Sequence, residues 1–109
     1  MALADSTERH VFKALADPTR REILALLRAG RRPAGEIAAR FSVSRPAISK
    51  HLRQLRTARL VVETREGRER LYQLNAAPLK SVDDWLADYR LFWRMQLRNL
   101  KHYAEETKP

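Results

Sequence analysis

The chain has 109 residues, a formal net charge of +9 and no cysteine, which excludes disulfides, thiolate metal sites and thiol-based redox sensing. That length is expected to make one domain, residues 1–109, with a modest core that gains from a partner subunit. No apolar run approaches the roughly 20 residues that span a bilayer, and MALADSTERH lacks a secretory layout, so a cytoplasmic protein without membrane insertion is expected.

In chain order, Asp5 with Glu8 three residues on forms a capping box for a first helix that buries Val11, Phe12 and Leu15 and stops near Ala16. Pro18 disfavours helical geometry at Asp17 yet suits a first helical position, so Asp17-Pro18 ends one helix and starts the next. The second helix is expected to run to about Ala29 with Ile23, Leu24, Leu26 and Leu27 as its apolar set and Gly30 as a left-handed terminator. Arg31-Arg32-Pro33 reads as a loop.

Residues 34–57 then carry two short segments of helical period joined by a Ser-Val-Ser turn, the signature of a helix-turn-helix. Ile37, Ala38 and Phe41 fall at helical spacing in the first segment, and Ile48, Leu52 and Leu55 in the second. The second segment's other face carries Ser44, Arg45, Pro46, Ser49, Lys50 and Arg53, hydroxyl and cationic donors suited to base edges and phosphates of a major groove. His51 is expected near the phosphate backbone or packed against its own protein.

Leu60 to Leu74 reads as a β-hairpin, its first strand rich in β-branched residues and Glu66-Gly67 a turn candidate. Alternating charge on an exposed hairpin can simply guard an edge. Directly after a recognition helix, Arg65, Arg68 and Arg70 instead suit a wing lying along the nucleic-acid backbone or in the minor groove. The distribution of charge agrees: residues 17–76 hold fourteen basic and six acidic side chains, against two and two before them and six and five after. A nucleic-acid reader needs its cations where the phosphates lie.

From Pro78 to about Glu105 the period is helical again, and the last few residues, Glu105 to Pro109, are expected to fray. Leu79, Val82, Leu86, Tyr89, Trp93, Leu100 and Tyr103 form a heptad-like seam that Trp85, Phe92 and Leu97 widen. A stripe that broad needs two partners, its own domain on one edge and the same helix of a second subunit on the other, with Val11 joining the interface; the alternative is a purely intramolecular core helix. The fold expected is thus mainly α with a small β-hairpin, in the order α-α-α-α-β-β-α. Its helix-turn-helix is 34–57, its wing 60–74 and its dimerisation helix 78–105.

The segments ALADPTRREILALL (14–27), SRPAISKHLRQLRTARLV (44–61) and REGRERLYQL (65–74) resemble the ArsR-type winged-helix repressors, and DWLADYRLFWRMQLRNLKHYAEE resembles their SdpR-like branch. That resemblance implies a homodimeric repressor that binds a palindromic site in double-stranded DNA, and its SdpR-like branch implies an autorepressor without a metal-sensing role. It departs from the metal-sensing members, which carry a cysteine pair where this chain has Glu36 to Arg40. Asp83, Asp84, Asp88, His102, Glu105 and Glu106 stand where other members bind zinc, but they include a single histidine. Asp83 and Asp84 suit the start of a helix dipole, and His10 with His102 would make a thin site, since a transition metal needs three or four ligands. No metal and no cofactor is assigned, and no residue points to an effector.

An enzyme is disfavoured, since the chain has no HExxH, GxSxG, Walker or dinucleotide glycine pattern. A winged module that binds protein or RNA, and a metal-responsive repressor with His, Asp and Glu ligands, are the alternatives. The short Ala47 beside Ser49 and Arg45 allows close approach to a groove, whereas a protein-docking face would expose larger apolar anchors.

Overall fold

The computed structural model describes residues 2–106, with side chains from Thr7 onward. Five helices and three strands follow one another as α1 (Ala2–Leu15), α2 (Pro18–Leu27), β1 (Arg32–Pro33), α3 (Ala34–Ala39), α4 (Arg45–Thr57), β2 (Val61–Glu66), β3 (Glu69–Leu74) and α5 (Lys80–Glu106), with a 3-10 turn at Ala77–Leu79. Helix α1 starts at Ala2, before the expected Asp5, whose side chain lies outside the described set. At the other end Glu105 and Glu106 are helical, against the expectation of fraying; Thr107 to Pro109 lie outside the described residues.

Asp17 caps α2 as its chemistry dictates, in extended geometry, with its carboxylate accepting the Arg20 backbone N–H at 3.1 Å and Pro18 in the first turn. The helix ends at Leu27, two residues earlier than expected, and Gly30 turns the chain with a φ of +140°, a region closed to most side chains. The chain does not then continue as a loop. Arg32 and Pro33 pair antiparallel with Tyr72 and Leu71, which makes a three-stranded sheet in the order β1-β3-β2. Proline has no N–H to lose at a sheet edge, so Pro33 fits there.

Helix α4 begins where Ser44, in extended geometry, accepts the Ala47 N–H at 3.3 Å. It ends in a two-bond cap: Leu60 N donates to Leu55 O at 3.0 Å and Arg59 N to Arg56 O at 2.9 Å, the Schellman arrangement. The residue that must turn left-handed is Arg59, with φ +61°, where glycine is the usual occupant. Asn75 braces this corner, its amide donating to Arg59 O at 2.9 Å and its backbone N–H to Leu60 O at 2.8 Å. The hairpin closes on Gly67 and Arg68, not on Glu66-Gly67. Gly67 alone has positive φ, +61°, the pattern of a two-residue turn that starts on glycine.

One core lies among the helices and the sheet base: Val11 and Ala14 of α1, Ile23, Leu24 and Leu27 of α2, Ile37 of α3, Ile48, Leu52 and Leu55 of α4, then Leu60, Val61 and Tyr72. Burying each of the large aliphatic side chains is worth roughly 1.5–3 kcal/mol. Phe12 and Leu15 are half-buried, so α1's innermost residues are Val11 and Ala14. Leu79 and Val82 pack against this core, and Leu86 is half-buried. Farther along, α5 leaves the body of the protomer and its apolar side chains are exposed.

Candidate nucleic-acid interface

Helix α4 is held by its apolar side, and the geometry of its other side follows from 100° per residue. Opposite Ile48, Leu52 and Leu55 stand Pro46, Lys50, Arg53 and Thr57, all exposed. Arg45 and Ser49 lie on the flank toward the sheet, His51 on the flank toward α2. The structure thus gathers the expected residues 45–53 on one helix, but spreads them over three directions. Ser44 stands at the cap, its hydroxyl engaged by Ala47 N.

The wing meets the same flank. An open cleft of about 450 Å³ is lined by Gly35 and Glu36 of α3, Arg45 of α4 and Arg68 and Arg70 of the hairpin, so three of the expected cations share one concavity. Gly35 lets the Arg45 guanidinium come close: a methyl there would stand 3.4 Å from Nη2. Across the strands Arg65 pairs directly with Arg70, a like-charge neighbour pair that costs stability in isolation.

The ion pairs sort the cations into two groups. Arg70 is shared with Glu63 at 3.5 Å, and Glu63 also holds Arg56 of α4 at 2.7 Å. This Arg56–Glu63–Arg70 bridge ties the end of α4 to the base of the wing and fixes their relative orientation. Sequence reasoning missed Arg56 and the structural part of Glu63, because the pairing depends on tertiary proximity. Among the described residues, no carboxylate pairs with Arg45, Lys50, Arg53, Arg65 or Arg68.

A junction at the start of α2 was also missed. Arg20 donates from Nε to Ala14 O at 2.8 Å and from Nη2 to Lys13 O at 3.0 Å, and Arg21 donates to Leu15 O at 2.6 Å. Two arginines therefore satisfy carbonyls that the end of α1 leaves open. The third Arg20 nitrogen, Nη1, lies 3.3 Å from His51 Nδ1, and the Asp17 carboxylate lies 3.8 Å from the same atom. Hydrogen bonding from the Arg20 backbone, aided by nearby positive charge, holds the Asp17 carboxyl below its ordinary range.

Of the residues expected at a subunit interface, Val11 is withdrawn: it has 0% exposure inside the protomer and no surface left for a second chain. A helical stripe cannot show from sequence which chain covers it. Leu79, Val82 and Leu86 are partly covered by their own chain. Trp85, Tyr89, Phe92, Trp93, Leu97 and Leu100 are exposed along α5. Phe12 meets Trp85 edge-on at 5.7 Å, and Trp85 leans on Tyr89 at 5.0 Å, so the aromatic row starts on the protomer's own body.

The acidic residues of α5 are engaged locally. Arg90 donates to Asp83 at 2.7 Å, which holds that carboxyl below its usual range, and Lys80 pairs with Asp84 at 3.0 Å, which raises the amine. His102 pairs with Glu106 one turn on, at 2.8 Å. Among the described residues no group of three or more His, Asp or Glu side chains could hold a metal, and no helix is long and apolar enough to cross a membrane.

Residues 17–62, the second helix through the start of the wing, match the family described as bacterial regulatory protein, arsR family. The chain is 42% identical over 80 residues to the transcriptional repressor SdpR of Bacillus subtilis, covering 73% of this chain and 89% of that one. It is 43% identical over 94 residues to the HTH-type transcriptional regulator Rv2034 of Mycobacterium tuberculosis, covering 86% and 82%. The chain belongs to the ArsR family. Its fold agrees with a solution structure of a homodimeric winged helix-turn-helix DNA-binding domain from Mycobacterium bovis, a possible ArsR-family transcriptional regulator, at a TM-score of 0.65 and 28% identity over 99% of this chain and 91% of that one. In this ArsR-family chain α3 and α4 are followed by the β2-β3 hairpin, the element order of a winged helix-turn-helix. The expected winged helix-turn-helix is therefore correct, with β1 as an added third strand.

Proposed function

We propose that the protein is a homodimeric, sequence-specific DNA-binding repressor that acts by occupancy, not by turnover, in the cytoplasm. It forms one domain, with the helix-turn-helix at 34–57, the wing at 60–74 and the dimerisation helix at 78–105. The observation that carries the reading is the set of five unpaired cations, Arg45, Lys50, Arg53, Arg65 and Arg68, divided between the exposed side of α4 and the adjoining hairpin. Cations left without partners on a helix narrow enough for the major groove suit a polyanion.

Arg45, Ser49 and Lys50 contact bases or adjoining phosphates, Arg53 lies near the backbone, and Arg65 and Arg68 add affinity independent of sequence. Arg70 contributes less than its neighbours because Glu63 already holds it. The exposed aromatic row of α5 pairs two copies so that both recognition helices reach half-sites about one DNA turn apart. Binding at a promoter excludes polymerase. The homology to a transcriptional repressor supports the direction of control.

The test is a mass measurement in solution followed by footprinting on the promoter upstream of the protein's own gene across a salt series. A dimer that protects two symmetric half-sites is expected. A monomer, or a dimer that protects no discrete sequence, overturns the reading.

A further inference from the structure

We propose that Arg20 is a positioning residue for DNA binding: it fixes His51 in the tautomer whose proton sits on Nε2, so that the recognition helix presents an N–H donor to a phosphate on the α2 side of the groove. The inference rests on the proposed entry of α4 into duplex DNA.

The argument starts from what a guanidinium can do. Arginine carries donors and no acceptor. Here Nε and Nη2 are already committed to the carbonyls of Ala14 and Lys13, so the group is pinned at the end of α1 and cannot swing away from His51. Nη1 reaches Nδ1 at 3.3 Å. A donor facing Nδ1 requires a lone pair there, and a neutral imidazole with its lone pair on Nδ1 carries its proton on Nε2. Asp17 does not compete for a neutral ring at this distance: its carboxylate is 3.8 Å from Nδ1 and already accepts the Arg20 N–H at 3.1 Å.

Nε2 is free to act. His51 is mostly covered, with 19% of its side chain exposed. Yet Nε2 is not among the buried polar atoms lacking a partner, and no protein partner satisfies it among the described residues. Its surface therefore faces solvent. On α4 it lies one residue, 100°, round from Lys50, at the edge of the exposed face remote from the wing. A helix seated in the major groove has a phosphate backbone on each side: the wing's cations face one, and the His51 flank faces the other. A hydrogen bond from a neutral N–H to a phosphate adds a contact whose position is set by α1 and α2, so the sequence Asp17-Pro18-Thr19-Arg20 sets how α4 is presented as well as how the helices join.

Long-range proton–nitrogen NMR spectra of the uniformly labelled full chain distinguish the two tautomers directly. The wild type is expected to show His51 with a protonated Nε2 and a bare Nδ1. Arg20→Met removes the donor at similar length and is expected to give a mixture. On the best duplex selected from a random-sequence library, His51→Ala and Arg20→Met should each weaken binding about threefold to tenfold, the loss of one hydrogen bond. His51→Gln, which carries an amide donor where Nε2 stands, should restore most of that affinity. In the His51→Gln background, Arg20→Met should cost little binding even though it destabilises the fold. A wild-type ring protonated on Nδ1, or an Arg20→Met protein with an unchanged tautomer, overturns the inference while leaving α4 as a DNA reader. Failure of the wild type to select any duplex removes the underlying reading instead, and the inference with it.

Discussion

Replacing Trp93 with alanine tests the second subunit's place on α5. Trp93 is 49% exposed and stands outside the buried core, in a row with Tyr89, Phe92, Leu97 and Leu100, which are between 47% and 65% exposed. A tryptophan presents up to about 250 Å², so Trp93 leaves roughly 120 Å² open, worth about 3 kcal/mol at about 25 cal/mol per Å². A twofold interface contains the residue in both copies, which sets about 6 kcal/mol as the upper bound for Trp93→Ala. Sedimentation equilibrium across a dilution series should show the dissociation constant of the dimer rising by at least about 100-fold, or about 2.7 kcal/mol. The helical circular dichroism of the folded monomer should persist, because the core is untouched. An unchanged dimer constant for Trp93→Ala would refute the assignment of this face to a second copy and require another occupant.

Arg68→Ala should weaken selected and random duplexes alike and flatten the slope of log affinity against log salt by about 0.9 for each lost phosphate contact, whereas Arg45→Ala or Ser49→Ala should erode discrimination by roughly 1–3 kcal/mol where the contact is to a base. Anisotropy titrations on both kinds of duplex separate the two behaviours. Arg59→Gly relieves the left-handed φ of +61° at the end of α4. The relief of about 1–2 kcal/mol is partly offset by unfolded-chain entropy, so a higher urea midpoint, by up to about 1 kcal/mol, is expected. The Asp17 carboxyl titrates lower in the folded chain than in the unfolded chain, so its contribution is present above the unfolded pKa and is lost as pH falls through the folded one. Asp17→Asn keeps a capping side chain without the titration. Its stability should fall less steeply than the wild type's as pH drops below the ordinary aspartate range in denaturant melts.

What the sequence made legible were features written in neighbouring residues. Asp17-Pro18 and Ser44 mark helix starts because caps act over three residues, and Ile48, Leu52 and Leu55 mark α4's buried side because their spacing matches a helical turn. Strand β1 was not legible, since two residues show no alternation and Pro33 argues against a strand until its edge position is known. Nor were the Arg20–His51 contact, 31 residues apart in sequence, and the Glu63 bridge from helix to wing. Both depend on which ends the core brings together. Val11 shows the complementary limit, since burial by one's own chain and burial by a second chain leave the same apolar pattern. The residues proposed to face DNA stood out because they are the exposed remainder once the apolar face is assigned.

The most direct measurement is the affinity of purified protein for a selected duplex and for a scrambled duplex of equal length, titrated from low to physiological salt and above. With Arg53, Arg65 and Arg68 assigned to the backbone in each copy of the proposed dimer, about six phosphate contacts give a slope near −5. The selected duplex should bind at least about 1,000-fold tighter at physiological salt. Equal affinity for both duplexes, with a slope near zero, would contradict the account.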